Sequence, residues 1–325
     1  TLGIGSASAA LVTGGSGGLY WEAQNTVVGQ TSTATIAAGG NPIYNPPMPQ
    51  YSGVAALIMT YVGVDLNNDG RNDSFICTGS LMADRASVLT AAHSVDSING
   101  ISPDVTAYFY GGPDRDTVVT QSADSTALGV SNIFIHPDYT GEVIDQNDIA
   151  VLNLNTWAPG SIASYGLSLD NDLTGDLYTI AGYGGRSTIG GAFGTNAGTG
   201  RLRYGENRYD FRLGEEDFDG FWDGFFGTAN VNNSYVSDFD NGLAANDTSC
   251  RIAGAFGLGG AQYCNTGVGA REVSTAGGDS GGPQFDAAMQ ITSVTSYGLS
   301  FGTGFGDFRA GLNSSWGEFN GFVPV

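Results

Sequence analysis

The chain has 325 residues and a formal net charge of −21, and all 11 of its basic residues are arginine. Such an acidic protein repels nucleic acid and anionic membranes, so we expect neither as a partner. The longest uninterrupted aliphatic run, at 54–59, is far too short to span a bilayer. With 52 glycines and only 13% charged residues, the short apolar runs favour an all-β, loop-rich protein.

The first 50 residues differ from the rest of the chain. Small residues are followed by the proline-rich stretch NPIYNPPMPQY, which is typical of an extension or pro-segment rather than of a core. Over 51–325, short β-like runs alternate with Gly, Asn, Asp and Pro turns. A stretch at about 185–249 is acidic and aromatic. It is interpreted either as a decorated surface loop or as an exosite for a partner.

The segment DLNNDGRND at 65–73 alternates oxygen-bearing side chains around a glycine. This spacing suits Ca²⁺, which prefers oxygen ligands, although the glutamate that closes an EF-hand loop is replaced by Ile76. The pattern resembles calcium loops found between strands in some β proteins. It predicts one structural Ca²⁺, with an ordinary polar hairpin turn as the alternative. The predicted ligands are Asp65, Asn67, Asp69, Asp73 and the backbone carbonyl of Arg71.

The three cysteines, Cys77, Cys250 and Cys264, lack the paired spacing of a zinc site. Cys250 and Cys264 are close enough in sequence to close a short loop as a disulfide, worth about 3 kcal/mol in the chain-entropy model. Such a bridge would imply an oxidising compartment. Cys77 would then remain a free thiol.

Three residue types point to nucleophilic catalysis. Ser280 lies in the glycine-flanked stretch STAGGDSGGP, where a strained turn can expose a hydroxyl. A serine needs a base, and His93, one of only two histidines, is suited to take its proton near neutral pH. A carboxylate must fix the histidine tautomer. Asp148 stands at the head of the apolar run IAVL, whereas its rivals Asp145 and Asp138 do not.

Four segments resemble the signatures of the chymotrypsin/trypsin-like serine proteases and occur in that family's order. They are CTGSL at 77–81, LTAAHS at 89–94, DIAVLNL at 148–154 and GGDSGGP at 277–283. The resemblance covers about 51–320. It implies an all-β fold of two six-stranded antiparallel β-barrels with the active site in the cleft between them. The first barrel is expected at about 51–160 and the second at about 165–320.

The resemblance also implies a role for each matching residue. His93 would be the general base and then acid, Asp148 would orient it, and Ser280 would be the nucleophile. The backbone N–H groups of Gly278 and Ser280 would form the oxyanion hole. The pair Cys250/Cys264 fits a disulfide that the family carries before the serine.

The same resemblance implies how the substrate would be recognised. Ser296, Tyr297 and Gly298 would form the strand that pairs with the substrate backbone. Ser274 would lie at the base of the specificity pocket and offer no fixed anion, while Gly298 and Gly306 would line its walls. We therefore expect a medium or large apolar P1 residue, although Asp307 is close in sequence.

Two departures from the family affect the bracing of the active-site walls. Ala276 and Ser94 stand where the family often has cysteines, so the pocket walls are expected to rest on packing alone.

Activation by cleavage before Ile36 would let the new amine pair with Asp279. In the alternative, 1–50 stays attached.

Together these features predict a secreted, extracellular or periplasmic, serine endopeptidase that acts on proteins or peptides. The calcium would be structural and not needed for the chemistry. The alternative is a non-catalytic binding or assembly protein built on the same fold. The sequence makes no prediction of oligomeric state.

Overall fold

The computed structural model describes residues 12–16, 19–24, 41–114 and 116–325. Ile36 therefore lies outside the described residues. The described chain is nearly all β, with one α-helix, α1, at Thr248–Ala255. The strands are Val12–Ser16 (β1), Leu19–Gln24 (β2), Val54–Tyr61 (β3), Asp73–Leu81 (β4), Ser87–Thr90 (β5), Asp104–Tyr110 (β6), Ser125–Ile135 (β7), Ala150–Leu154 (β8), Leu177–Gly182 (β9), Arg203–Arg208 (β10), Phe211–Arg212 (β11), Tyr235–Asp238 (β12), Pro283–Phe285 (β13), Ile291–Ser300 (β14) and Phe319–Pro324 (β15).

Six strands close into an antiparallel barrel in the order β3-β4-β5-β8-β7-β6. Side chains alternate across each strand, and one set points into the barrel. Leu57, Val88 and Leu152 are fully buried in this interior. Burial of each such side chain contributes roughly 1.5–3 kcal/mol.

The second half of the chain forms a curled sheet of seven strands in the order β10-β9-β13-β14-β15-β12-β11. It agrees with the predicted second β unit, but it has seven strands in an open path rather than six in a closed one. The extra pairing comes from β11, which adds to β12 within the acidic stretch of the sequence. No helix in the described ranges is long and apolar enough to cross a membrane.

Residues 185–249 contain core elements, namely β10, β11 and β12. The aromatic part of this stretch folds inward. Phe218 and Trp222 are almost completely buried and pack with Phe211 and Tyr263. The interpretation of this stretch as a surface loop or exosite is therefore wrong for these side chains. They form an additional apolar cluster because each aromatic ring buries a large area.

Cys250 and Cys264 form the expected disulfide, with Cα atoms 4.4 Å apart. The bridge ties α1 to the chain that follows it. Cys77 is a buried free thiol on β4, and burial raises its pKa to about 12. At neutral pH the thiol is therefore protonated, and it packs as a small apolar side chain.

An ion cluster joins the barrel to the sheet. Asp116 follows β6 of the barrel, and three arginines from the second half of the chain surround its Oδ1. Arg203 Nη2 lies 3.0 Å from that oxygen, and Arg186 Nη1 and Arg201 Nε lie 3.5 Å from it. Burial and the neighbouring arginines lower the pKa of Arg186 to about 10. The single carboxylate therefore stabilises several guanidinium groups at this junction.

Candidate active site

His93 and Asp148 meet at one end of the closed barrel. His93 follows β5 and Asp148 precedes β8, and these strands pair with Thr90 opposite Ala150. His93 Nδ1 lies 2.6 Å from Asp148 Oδ2, and the backbone N–H of His93 donates to Oδ1 at 2.8 Å. The fully buried carboxylate thus fixes the orientation of the ring and favours the tautomer protonated at Nδ1.

Asp148 also has a second side-chain partner. The Ser296 hydroxyl donates to Oδ2 at 2.5 Å. The rival Asp145 is buried too, but its carboxylate accepts from Thr140 and Asn147 and caps its own loop. Of the acidic residues considered from the sequence, Asp148 is therefore the one bonded to the His93 ring.

The turn that carries Ser280 packs against the end of β5. A Cβ atom built on Gly281 would lie 2.0 Å from Thr90 Oγ1 and 2.6 Å from the Ala91 nitrogen. The φ of +79° at Gly281 is also in the left-handed region that favours glycine. Glycine is therefore required for the serine turn to approach the segment that leads to His93.

Strand β14 connects this turn to the aspartate. Thr295 exchanges backbone hydrogen bonds with the turn, accepting from Gly281 at 2.8 Å and donating to Gly282 at 2.9 Å. The next residue is Ser296, the partner of Asp148. Within the described residues His93 Nε2 is buried and has no hydrogen-bond partner. One strand thus holds the serine turn and the carboxylate beside a histidine whose second nitrogen is unengaged.

Gly278 and Asp279 shape the predicted oxyanion turn. Gly278 has a φ of +112°, and a Cβ there would lie 3.0 Å from the Cα of Gly184. The buried Asp279 carboxylate accepts from the Gly184 N–H at 2.5 Å. Burial raises its pKa well above the usual value. The turn is therefore held by a buried carboxyl that has no basic residue paired with it among the described ion pairs.

A cavity of about 280 Å³ adjoins the serine turn. Ser274 and Gly298, both predicted to contribute to the specificity pocket, line this cavity. The Ser274 hydroxyl donates to Asn320 Oδ1 at 3.0 Å. Gly306 does not line this cavity and instead lies against Thr248, which a Cβ on Gly306 would approach to 2.5 Å. Much of the lining is polar, and the apolar part comes from residues such as Phe319.

Glu318, which sequence reasoning missed, is a buried carboxyl in the wall of this cavity. It accepts the backbone N–H groups of Asn313 and Ser314 at 2.8 Å and of Ser315 at 3.2 Å. Burial and the charge of Asp307 raise its pKa to about 8. The pocket wall is thus braced by hydrogen bonds as well as by packing. The sequence offers no signal for this role beyond a lone acidic residue just before β15.

The predicted calcium loop at 65–73 joins β3 to β4 as an exposed hairpin connection. Asp65 accepts the backbone N–H groups of Asp69 at 3.0 Å and Gly70 at 2.8 Å. Asp73 accepts from Leu66 at 2.7 Å. The loop curls around its own carboxylates, and Gly70 has the positive φ of +80° that the turn requires.

Comparison with known proteins finds a family that part of the chain resembles. Residues 60–203 match the Trypsin family model. The match contains His93 and Asp148, and Ser280 lies beyond it. This part of the chain is similar to the chymotrypsin/trypsin-like serine proteases. No curated protein matches it in sequence.

A solved structure of HL collagenase is similar in fold to this chain. The TM-score is 0.52 with 19% identity, and the alignment covers 87% of this chain and 92% of the collagenase chain. At this identity the likeness concerns the fold. It extends the chymotrypsin-like architecture well beyond the region matched by the family model.

Proposed function

We propose that the protein is a serine endopeptidase that hydrolyses proteins or peptides through Ser280, His93 and Asp148. The observation that carries the proposal is the 2.6 Å contact between His93 Nδ1 and Asp148 Oδ2, beside a serine turn held by β14. The similarity of residues 60–203 to the Trypsin family supports the same reaction class. The Ser296 hydroxyl adds a positioning contact to the carboxylate.

In the proposed reaction, Ser280 Oγ attacks the peptide carbonyl carbon while His93 Nε2 accepts the hydroxyl proton. The backbone N–H groups of Gly278 and Ser280 stabilise the negative oxygen that forms. The proton on Nε2 passes to the leaving amine, and an acyl-enzyme remains. A water then gives a proton to Nε2 and attacks the ester carbonyl. The bond between the acyl carbon and Ser280 Oγ breaks, the acid is released, and Nε2 returns the proton to Oγ. Asp148 stabilises the imidazolium during both steps.

Substrate would add as an extra strand along Ser296, Tyr297 and Gly298, with its P1 side chain in the cavity lined by Ser274 and Gly298. We keep the proposal of an apolar P1 residue, supported by the lack of a free anion at Ser274 and by the apolar Phe319. The hydroxyl-rich remainder of the lining leaves room for a polar group at the rim. Cleavage of a peptide library by the purified chain tests this preference.

Three further features belong to the proposal. The 65–73 loop would hold one structural Ca²⁺ through Asp65, Asn67, Asp69, Asp73 and the Arg71 carbonyl, because Ca²⁺ takes carboxylate and carbonyl oxygens. The disulfide supports export to an oxidising compartment. Activation by a new amine at Ile36 would give the buried Asp279 a cationic partner.

Peptide hydrolysis by the native chain and by Ser280→Ala tests the central proposal. We expect release of new amino termini from a denatured protein substrate by the native chain, and loss of this release in the variant. Thr292→Ala, another hydroxyl deletion on the second sheet, serves as the matched control. Equal hydrolysis by the native chain and Ser280→Ala would contradict the proposal.

A further inference from the structure

Three buried carboxylates outside the catalytic cleft converge between β12 and α1. Asp238 ends β12 and Asp247 caps α1, while Asp240 lies in the loop between them. One oxygen from each lies within 4.8 Å of the others, and each residue is at most 4% exposed. No ion pair of the described residues involves them. Such like charges are costly when buried without a cation.

The hydrogen bonds hold two of these carboxylates while leaving the third open. Asp238 Oδ2 accepts the Ser249 N–H at 2.8 Å, and Asp247 Oδ1 accepts the Cys250 N–H at 2.8 Å. In contrast, Asp240 Oδ1 is buried and has no hydrogen-bond partner among the residues that the structure describes. The same carboxylate converges with those of Asp238 and Asp247. A buried acceptor without a donor calls for a ligand that supplies positive charge.

We propose that Asp238, Asp240 and Asp247 bind a divalent cation of the Ca²⁺ class. The donor set is entirely carboxylate oxygen, which suits a hard cation and not the softer metals that prefer histidine or thiolate. A cavity of about 400 Å³ lined in part by Asp240 and Glu272 gives the ion and its remaining water ligands a path to the site.

The site is linked to the specificity pocket through the backbone. Phe239, between two of the ligands, donates its N–H to the Glu318 carbonyl at 3.0 Å and accepts from Gly317 at 2.8 Å. Glu318 in turn lines the pocket. A cation at this position would therefore stabilise the pocket wall. The site lies on the second sheet, whereas the predicted 65–73 loop joins two strands of the barrel.

The test separates this site from the exposed loop by working in an Asp65→Asn/Asp69→Asn background. After chelation and dialysis, we measure bound Ca²⁺ per chain by mass spectrometry and the melting temperature with and without Ca²⁺. We expect one bound Ca²⁺ and a raised melting temperature in this background. Adding Asp240→Asn should remove both. This variant keeps the side-chain shape and removes the carboxylate charge.

Asp247→Asn is the second variant, because asparagine also caps helices and should preserve α1. It should weaken Ca²⁺ binding at least about tenfold through the lost carboxylate charge. Glu318→Gln, another buried carboxyl change, is the control and should keep the bound Ca²⁺. The proposal is overturned if the loop-neutralised chain binds no Ca²⁺, or if Asp240→Asn leaves the bound Ca²⁺ unchanged.

A separate observation concerns the edge of β14 on which substrate would add. Beyond its pairing with the serine turn, this edge is occupied by β2 of the N-terminal hairpin. Gly298 lies opposite Gln24, and Ser300 lies opposite Glu22, in antiparallel register. β1 pairs in turn with β2. The hairpin thus uses the same backbone edge that the proposed substrate strand requires.

We infer from this pairing, and on the basis of the proposed function, that β2 is an autoinhibitory strand. It satisfies the backbone groups of Gly298 to Ser300, so a peptide must displace it in order to bind as an added strand. The competition acts on residues of the substrate that reach this edge. Substrates too short to reach this edge do not need to displace β2, so β2 inhibits their hydrolysis less.

Ala23→Pro in the full chain tests the inference, because proline removes a strand N–H and disfavours pairing. Ala287→Pro, in the exposed turn after β13, is the matched control. For peptides with four residues before the scissile bond, we expect kcat/KM to rise at least about tenfold in Ala23→Pro as the edge becomes free. Single-residue esters should change much less. Equal effects on long and short substrates would overturn the autoinhibitory role, whereas no hydrolysis by any chain would overturn the proposed function itself.

Discussion

The ring of His93 is oriented by the Asp148 carboxylate, and both oxygens of this carboxylate accept hydrogen bonds. Asp148 Oδ1 accepts the backbone of His93, and Oδ2 accepts both the ring N–H and the Ser296 hydroxyl. These contacts favour the proton on Nδ1 and so leave Nε2 with the lone pair. The chemical role proposed for His93 therefore depends on Asp148 remaining an acceptor.

Asp148→Asn should lower kcat by about 10⁴ while leaving the fold intact, because an amide can donate to Nδ1 and favours the wrong ring tautomer. The measurement is kcat and KM on a peptide substrate together with the melting temperature. Asp145→Asn is the control, since Asp145 is equally buried but contacts its own loop. An unchanged kcat in Asp148→Asn would contradict the role of this carboxylate.

Glu318 predicts a pH dependence of stability. Its pKa rises from 4.5 in the unfolded chain to about 8 in the folded protein because of burial and Asp307. Between these values the folded state binds more protons than the unfolded state. The stability contributed by the protonated carboxyl is therefore complete below pH 4.5 and is lost as the pH rises toward 8.

For this single group, the free energy of unfolding should fall by up to about 1.4 kcal/mol per pH unit in that window. Denaturant unfolding of the native chain and Glu318→Gln at several pH values measures the difference in slope. A glutamine does not titrate, so the variant should show a flatter profile. Identical slopes would show that Glu318 does not carry this proton.

At the scale of elements, α1 and the loop after it depend on a covalent tether. The disulfide joins residues 14 apart in sequence and connects α1 with the segment that leads toward the serine turn. Ile252 and Ala253 on the helix are buried in the aromatic cluster with Phe218 and Trp222. Packing and the tether therefore act on the same short helix.

Cys250→Ser/Cys264→Ser should lower the free energy of unfolding by about 3 kcal/mol, the value for a loop of this length in the chain-entropy model. Denaturant unfolding under oxidising conditions measures it. The same comparison under reducing conditions is the control, because reduction removes the bridge from the native chain as well. A double variant as stable as the oxidised native chain would contradict the prediction.

Much of the site could be predicted from short segments, because glycine turns and strand-initial polar residues leave local patterns. The serine turn, the histidine after β5 and the aspartate before β8 are of this kind. Glu318 and the Asp238–Asp247 group are not. Their roles arise from contacts between distant parts of the chain, and an isolated carboxyl has no periodic pattern. The burial of the aromatic stretch depends on Tyr263 and α1, which come later in the chain, so no local pattern predicts it.

At the scale of the whole molecule, the ion cluster at Asp116 connects the barrel to the second sheet. Arg186 and Arg203 are almost fully buried there. One carboxylate opposes these guanidinium groups and that of Arg201. Its removal would leave several positive charges at the junction without their acceptor.

Asp116→Asn should therefore lower the free energy of unfolding by roughly 3 kcal/mol, which is the scale for removing one partner of a buried ion pair. Thermal unfolding of the variant measures this effect. Asp124→Asn, a change of an exposed carboxyl in the same connection, should have little effect. A melting temperature equal to that of the native chain would show that the cluster does not stabilise the junction.

The two-part architecture itself was predictable, since the family's segments occur in order along both halves of the chain. The number of strands in the second sheet was not, because β11 is only two residues long and its pairing depends on tertiary context. The N-terminal hairpin was also missed as a partner of β14. Its strands lie far from β14 in sequence, and no local pattern links them.

Reaction with a fluorophosphonate probe, followed by mass mapping of the modified residue, tests the central claim most directly. It is applied with and without Ca²⁺ to the native chain, Ala23→Pro and His93→Ala. The account predicts modification of Ser280 in the first two chains and its loss in His93→Ala. Absence of label on Ser280 in both the native chain and Ala23→Pro, or equal labelling in His93→Ala, would contradict it.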